Sequence, residues 1–158
     1  MSWTTYVGAG ALVEHDGKLL MVRQRRAYGT HWELPGGYYE PPESLEEAAR
    51  REVREEASVD VAVGELIATL VWEREADARR NVLAWFAGTP VGDPQPRPQV
   101  EEEIDAAAFL DPDAVADEIH PLEKVVIDRW WPTRETGFHI RATVLLRDDG
   151  TQDYVFDA

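Results

Sequence analysis

Gly36-Gly37-Tyr38-Tyr39-Glu40-Pro41-Pro42-Glu43-Ser44-Leu45-Glu46-Glu47-Ala48-Ala49-Arg50-Arg51-Glu52-Val53-Arg54-Glu55-Glu56-Ala57-Ser58-Val59 is the stretch that decides how this chain is read. It runs from a glycine pair through two prolines into a helix-forming segment. Ser44 and Glu47 make a capping box, which predicts a helix starting at Leu45. No glycine or proline follows before Gly64, so the helix can continue to about Ala57. At about 100° per residue, Leu45, Ala48, Ala49 and Val53 share one face. Glu52 and Glu56, one turn apart, fall in the middle of that face, and Glu55 lies at its edge. The other charges, Glu46, Glu47, Arg50, Arg51 and Arg54, take the rest of the circumference.

An acidic helix is ordinarily a solvated one, laced with pairs such as Glu47–Arg51. Here two carboxylates sit inside the apolar stripe and a third beside it. Buried carboxylates need a cation or a raised pKa. Three of them within a few ångströms repel one another unless a metal neutralises them, and oxygen ligands suit Mg²⁺ or Mn²⁺.

The spacing adds a second argument. Gly37, five residues, Glu43, seven residues, then Arg51-Glu52-Val53-Arg54-Glu55-Glu56 and Val59 resembles the Nudix box of the MutT-like Nudix hydrolases. Two positions depart from the family pattern. Ser58 stands where the family usually has a glycine that ends the helix in a left-handed turn, and Pro42 takes the glycine place ahead of Glu43. Neither departure touches the acidic positions. The resemblance implies a metal site of Glu52, Glu55, Glu56 and the Gly36 carbonyl, with Glu103 as a further ligand or base among Glu101, Glu102 and Glu103. It implies that Arg51 pairs with Glu43 and pins the Gly36–Gly37 loop, a positioning role alongside helix pairs to Glu47 or Glu55. Arg23, Arg25 and Arg26, on the strand end leading toward the box, are candidates for substrate phosphates, because arginine forks match phosphate oxygens. Surface pairing is the competing fate for all three. Tyr28, Trp32, Tyr38, Tyr39 and Trp72 are candidates to stack on a base, with core packing as their alternative. His15, His31, His120 and His139 show no metal-ligand spacing.

Length and composition agree with this. The chain has 158 residues, 44% hydrophobic content and a net charge of −15. That is one domain with enough chain for a core. The charge argues against nucleic-acid backbones and anionic membranes as partners, and requires a polyphosphate to be met by local arginines or by metal. There are no cysteines, which excludes disulfides, thiolate metal sites and cysteine nucleophiles. The first residues lack a basic segment followed by an apolar one, and no apolar run could span a bilayer, so a cytoplasmic location is expected.

Along the chain, strands are predicted over Tyr6–Glu14 and Lys18–Arg25 around an Asp16-Gly17 turn, over Val59–Trp72 as one long or two short strands broken near Gly64, and over Asn81–Gly88. Glu73–Arg80 reads as a charged loop. Pro90–Pro98 holds too many prolines for regular structure. Pro112–Glu118 and Leu122–Trp131 read as helices. His139–Leu146 and Tyr154–Phe156 read as a hairpin around Asp149-Gly150. The expected fold is α+β, a mixed sheet between helices, in agreement with the α/β/α sandwich the resemblance implies. The expected organisation is one domain over 1–158, with 133–158 a C-terminal hairpin that adds to the sheet or to a homodimer contact.

The resemblance implies Mg²⁺-dependent hydrolysis of the pyrophosphate bond in a nucleoside diphosphate linked to another moiety. The alternative is a silent nucleotide-binding or sensor domain of the same fold. Family side motifs narrow the substrate little. Arg74 occupies the place where ADP-ribose hydrolases carry a proline, and neither the coenzyme A motif nor the NADH-type motif is matched. Nucleoside triphosphates and nucleotide sugars stay open.

Overall fold

The computed structural model describes residues 2–99 and 103–157. The strands are β1 (Thr4–His15), β2 (Lys18–Arg26), β3 (Gly29–Glu33), β4 (Gly36–Tyr38), β5 (Val61–Arg74), β6 (Arg79–Pro90), β7 (Ile104–Leu110), β8 (Phe138–Leu146) and β9 (Gln152–Phe156). The α-helices are α1 (Leu45–Ala57) and α2 (Pro121–Trp130), and Glu75–Asp77 and Pro112–Glu118 are 3₁₀ segments. The described strands form one mixed, curled sheet in the order β3-β2-β1-β6-β5-β8-β9, with β4 added to β1 and β7 to β2.

β1 organises the sheet. It runs parallel to β6 from Thr4 to Val13, pairs antiparallel with β4 over Gly8–Gly10, and hands over to β2 at Glu14 and His15. Its side chains alternate, as the pleat requires. Ala11 and Val13 pack with Val53 and Ala57 of α1, whereas Leu12 joins the cluster that contains Leu122, Val126, Ile127 and Trp130 of α2. β2 repeats the division: Leu20 and Val22 face α1, Leu19 and Met21 face α2. The two helices therefore cover opposite faces of a mixed sheet, the sandwich expected of the sequence.

α1 occupies the residues its caps predict. Ser44 accepts the Glu47 N–H at 3.1 Å and Glu47 reaches back to the Ser44 N–H, closing the capping box. Ser58 ends the helix in the left-handed region, φ 58° and ψ 30°. That conformation costs a residue with a Cβ about 1 kcal/mol. The Ser58 hydroxyl offsets part of it by donating to the Arg97 carbonyl at 2.9 Å, while the Arg97 N–H donates to the Ala57 carbonyl at 2.9 Å. The irregular segment 91–99, proline-rich as read, is thereby tied to the helix end.

Several local expectations shift. The lead-in to the glycine pair is itself extended, pairing with β2 from Val22–Glu33 to Arg26–Gly29. Val61–Arg74 is one strand, bent by irregular register between Val63 and Ala68 rather than broken at Gly64. The charged segment Glu73–Arg80 is mostly strand, because Arg80 pairs with Glu73 across the ladder at 3.1 Å and only Glu75–Asp77 turns. Pro112–Glu118 is 3₁₀ rather than α, kinked at Val115 (φ −119°, ψ 18°). β8 lies parallel to β5 over Ala68–Glu73 and carries β9 antiparallel on its outer side.

Candidate active site

A cavity of about 510 Å³ opens between α1, the sheet and the start of α2. Gly36, Gly37, Glu52, Glu56 and Glu103 line it, as do Tyr28, Tyr38 and Trp72. The helix periodicity brings Glu52 and Glu56 to the cavity, and β4 brings the glycine pair against them. Gly37 is required there: a Cβ at that position would lie 2.5 Å from the Glu52 carboxyl carbon. The Gly36 N–H donates to Glu56 at 2.7 Å. Burial pushes the Glu56 carboxyl well above its ordinary pKa, against the pull of that hydrogen bond and with the help of the nearby Glu52 charge. Burial also raises Glu52, partly countered by Arg51.

Arg51 binds the surrounding frame together. Its guanidinium donates to both oxygens of Glu43, at 2.9 and 3.1 Å, to Glu52 at 2.8 Å, to Glu55 at 3.2 Å and to the Tyr38 carbonyl at 2.9 Å. The loop pair to Glu43 and the helix pair to Glu55 coexist, while Glu47 is used by the capping box instead. The Arg51 hydrogen bonds hold the Glu43 carboxyl below its ordinary range. Glu55 is 51% exposed and turned outward onto Arg51, and it is absent from the cavity wall.

Among the described residues, no three acidic or histidine side chains converge closely enough to hold a metal by themselves. The donor set still fits Mg²⁺ or Mn²⁺. Mg²⁺ typically takes one or two carboxylates and completes its shell with water and substrate phosphates. Glu52 and Glu56 supply two hard oxygen donors in one cavity, and Glu103 lines the same cavity. Glu101 and Glu102 lie outside the described residues.

Arg23 and Arg25 take their surface fate. Arg23 forms a bidentate pair with Asp105 at 2.7 and 3.1 Å, and Arg25 lies 3.7 Å from the same carboxylate. Neither lines the cavity; Arg26, Arg74 and Arg79 do. The alternation of β2 puts Arg26 inward, where it grips the buried Glu33 through two hydrogen bonds of 2.7 Å. Arg74 is paired with Asp77. Arg79 stacks against Tyr6, its guanidinium carbon 4.3 Å from the ring centroid, and donates to Asn81 and to the Tyr38 hydroxyl.

A second acidic group lies on the opposite wall, beside α2. Glu123 is 8% exposed and packs against Glu33. Burial and the Glu33 charge push its pKa well up, toward the neutral acid form. The sequence reading passed over Glu123, although the test that singled out Glu52 applies to it: Leu122, Glu123, Val126, Ile127 and Trp130 form the buried stripe of α2. His120, assigned nothing for want of ligand spacing, caps α2 by accepting the Leu122 N–H at 3.1 Å.

A helix-borne pair of carboxylates thus faces a glycine loop in the cavity of a curled mixed sheet. The NUDIX domain family model matches residues 4–130, and the chain belongs to that family. It is 42% identical over 87 residues to a CTP pyrophosphohydrolase of Escherichia coli (strain K12), covering 50% of this chain and 62% of that protein. It is 37% identical over 110 residues to a MutT-like protein of Streptomyces ambofaciens, covering 69% of this chain and 65% of that protein. The chain thus spans just under two thirds of these relatives' length. The MutT protein of Bacillus halodurans superposes with a TM-score of 0.72 over 96% of this chain and 97% of that one, at 19% identity, which speaks for the fold. No described helix is long and apolar enough to cross a membrane.

Proposed function

We propose that this protein is a Mg²⁺- or Mn²⁺-dependent pyrophosphohydrolase acting on a nucleoside diphosphate linked to another moiety, of the nucleoside triphosphate or nucleotide sugar type. One observation carries the reading: Glu52 and Glu56 of the family box stand together in the cavity, on the helix face that should be apolar. The nucleotide class is supported by the relatives, among them the CTP pyrophosphohydrolase and nucleoside triphosphatases of Escherichia coli.

Glu52 and Glu56 would hold the cation, with the Gly36 backbone beside them. A divalent cation supplies charge neutralisation at the phosphates and a more acidic bound water. Glu56 and Glu103 both line the cavity and would be the candidate carboxylate bases. Arg51 keeps the Glu43 loop and Glu52 in register through the contacts above. Glu55 reaches the site only if its contact with Arg51 opens.

Purified protein incubated with a panel of nucleoside triphosphates and nucleotide sugars, with and without Mg²⁺ or Mn²⁺, gives the test, products being identified by chromatography. Metal-stimulated release of a nucleoside monophosphate or diphosphate is expected. No metal-stimulated hydrolysis across the panel would overturn the enzyme reading and favour the silent binding domain.

A further inference from the structure

The family match ends at residue 130, but the sheet continues through β8 and β9. The hairpin is not peripheral to the cavity. β8 is fixed on β5 from Ala68–Phe138 to Glu73–Thr143, and β9 on β8 from Ala142–Phe156 to Leu146–Gln152. That register brings Val144 and Gln152 into the wall of the cavity that holds Glu52 and Glu56.

A chain of hydrogen bonds sets the Gln152 amide. The Leu122 N–H donates to His120 Nδ1 at 3.1 Å, so the neutral ring carries its proton on Nε2. Burial keeps the ring neutral, lowering its pKa to about 4. Nε2 lies 3.1 Å from the Tyr28 hydroxyl and 3.3 Å from the Tyr154 hydroxyl, each of which can accept its proton. Tyr154 is then free to donate its own proton to Gln152 Oε1, at 3.0 Å. With its oxygen engaged, Gln152 is left with an NH₂ group, two donors, that has no protein partner among the described residues. The groups behind it are Tyr28, the neutral His120, Glu123 with its carboxyl pushed toward the acid form by burial, and Glu33 paired with Arg26. Nothing in that network offers a free positive charge to a phosphate. It offers oriented neutral hydrogen bonds beside an open cavity, the kind of surface that recognises a heterocycle.

We propose that Gln152 is a specificity residue, its amide NH₂ donating to a carbonyl oxygen or ring nitrogen of the substrate's nucleobase, and that the β8–β9 hairpin forms the wall that selects it. The inference rests on the nucleotide reading of the cavity given above. Removing donors from a site built to hydrogen-bond a base costs selectivity, because the base's acceptor is then buried unpaired.

Titration calorimetry of the full chain with the α,β-methylene analogues of the four common nucleoside triphosphates, in Mg²⁺, tests it together with steady-state kinetics on the hydrolysable nucleotides. The wild type should rank the four bases. Gln152→Leu should weaken the preferred analogue about tenfold and flatten the ranking, with kcat changed less than about twofold. Gln152→Glu keeps the shape but presents acceptors, and should weaken the preferred base at least as much; it decides the matter if the leucine variant fails to fold. Tyr154→Phe, which frees the amide to rotate, should shift the ranking the same way by a smaller factor. An unchanged ranking and affinity in folded Gln152→Leu or Gln152→Glu, with an active wild type, would overturn the hairpin assignment and leave the hydrolase reading standing. A wild type that ranks the analogues, loses the ranking on substitution and yet hydrolyses nothing would overturn only the enzyme reading. A wild type that binds no analogue would overturn this inference.

Discussion

Two acidic clusters face the same cavity and meet their charge in different ways. On the α2 wall, Arg26 satisfies both oxygens of Glu33 at 2.7 Å, and burial and the Glu33 charge push Glu123 toward the acid form. Cation, carboxylate and acid answer one another within the protein. On the α1 wall, one arginine, Arg51, is shared among Glu43, Glu52 and Glu55, and Glu56 is left with a backbone N–H. The first cluster holds its own cation, while the second has more carboxyl groups than cations, a deficit that a cation from outside can fill. Counting carboxylates therefore does not identify the metal-binding candidate. What separates the two walls is whether the protein supplies the counter-charge itself.

The sharpest way to break the comparison is Glu56→Gln. Activity should fall by about two to three orders of magnitude, since the proposed mechanism has Glu56 hold the cation. The metal-free protein should melt at the same temperature or slightly higher, because a neutral amide replaces a buried carboxyl whose ionised form is disfavoured by burial and by Glu52. Thermal melts with and without Mg²⁺ check this. A variant stabilised by Mg²⁺ as much as the wild type would show that Glu56 is no ligand.

The first cluster should respond in the opposite sense. Arg26→Met strands the buried Glu33 and should cost about 3 kcal/mol of folding stability, read by urea denaturation. Replacing Glu33 by Met as well should recover most of the loss, since no charge is then left unpaired. If the single variant lost under about 1 kcal/mol, the α2 wall would be no more self-sufficient than the α1 wall.

Glu123 gives the comparison a pH dependence. Its folded pKa is raised, so the folded state holds a proton that the unfolded chain, titrating near 4.5, releases. That contribution is full below 4.5 and is lost as pH rises through the folded value. His120 has the opposite sign: its contribution is full above 6.5 and is lost as pH falls through about 4. The two oppose each other below pH 6.5, and above it the raised carboxyls set the sign, so metal-free stability should decline with rising pH until they have ionised in the folded state. Glu123→Gln, a neutral mimic of the acid, should flatten that decline. An equally steep slope in the variant would place the titration elsewhere, with Glu56 the first alternative.

The smallest effect belongs to the end of α1. Ser58→Ala keeps the left-handed strain and loses the hydrogen bond to Arg97, for a loss of about 1 kcal/mol. Ser58→Gly loses the same bond but relieves the strain, and should stay within about 0.5 kcal/mol of wild type. Equal losses in both variants would mean that the left-handed turn costs serine nothing.

The sequence by itself determined what depends on neighbours a few residues apart. The capping box set the start of α1, the 3.6-residue period put Glu52 and Glu56 on its inward face, and the spacing from Gly37 to Val59 carried the family. Two-residue alternation and turn residues located most strands, though not their full lengths, because pairing across the ladder extends a strand past its local signal, as Glu73 and Arg80 do. Only the tertiary structure decided which of many arginines meets which carboxylate. Arg23 and Arg26 are equally plausible on paper, yet the β2–β7 register gives Arg23 to Asp105 while the β2–β3 pairing gives Arg26 to Glu33. The opposition of Glu33 and Glu123, and the arrival of Gln152 beside them, join positions separated by most of the chain. A side chain's charge is written in the sequence, but its solvation and its partner are set by folding. Those two decide whether a glutamate is an acid, half of an ion pair or a ligand awaiting a metal.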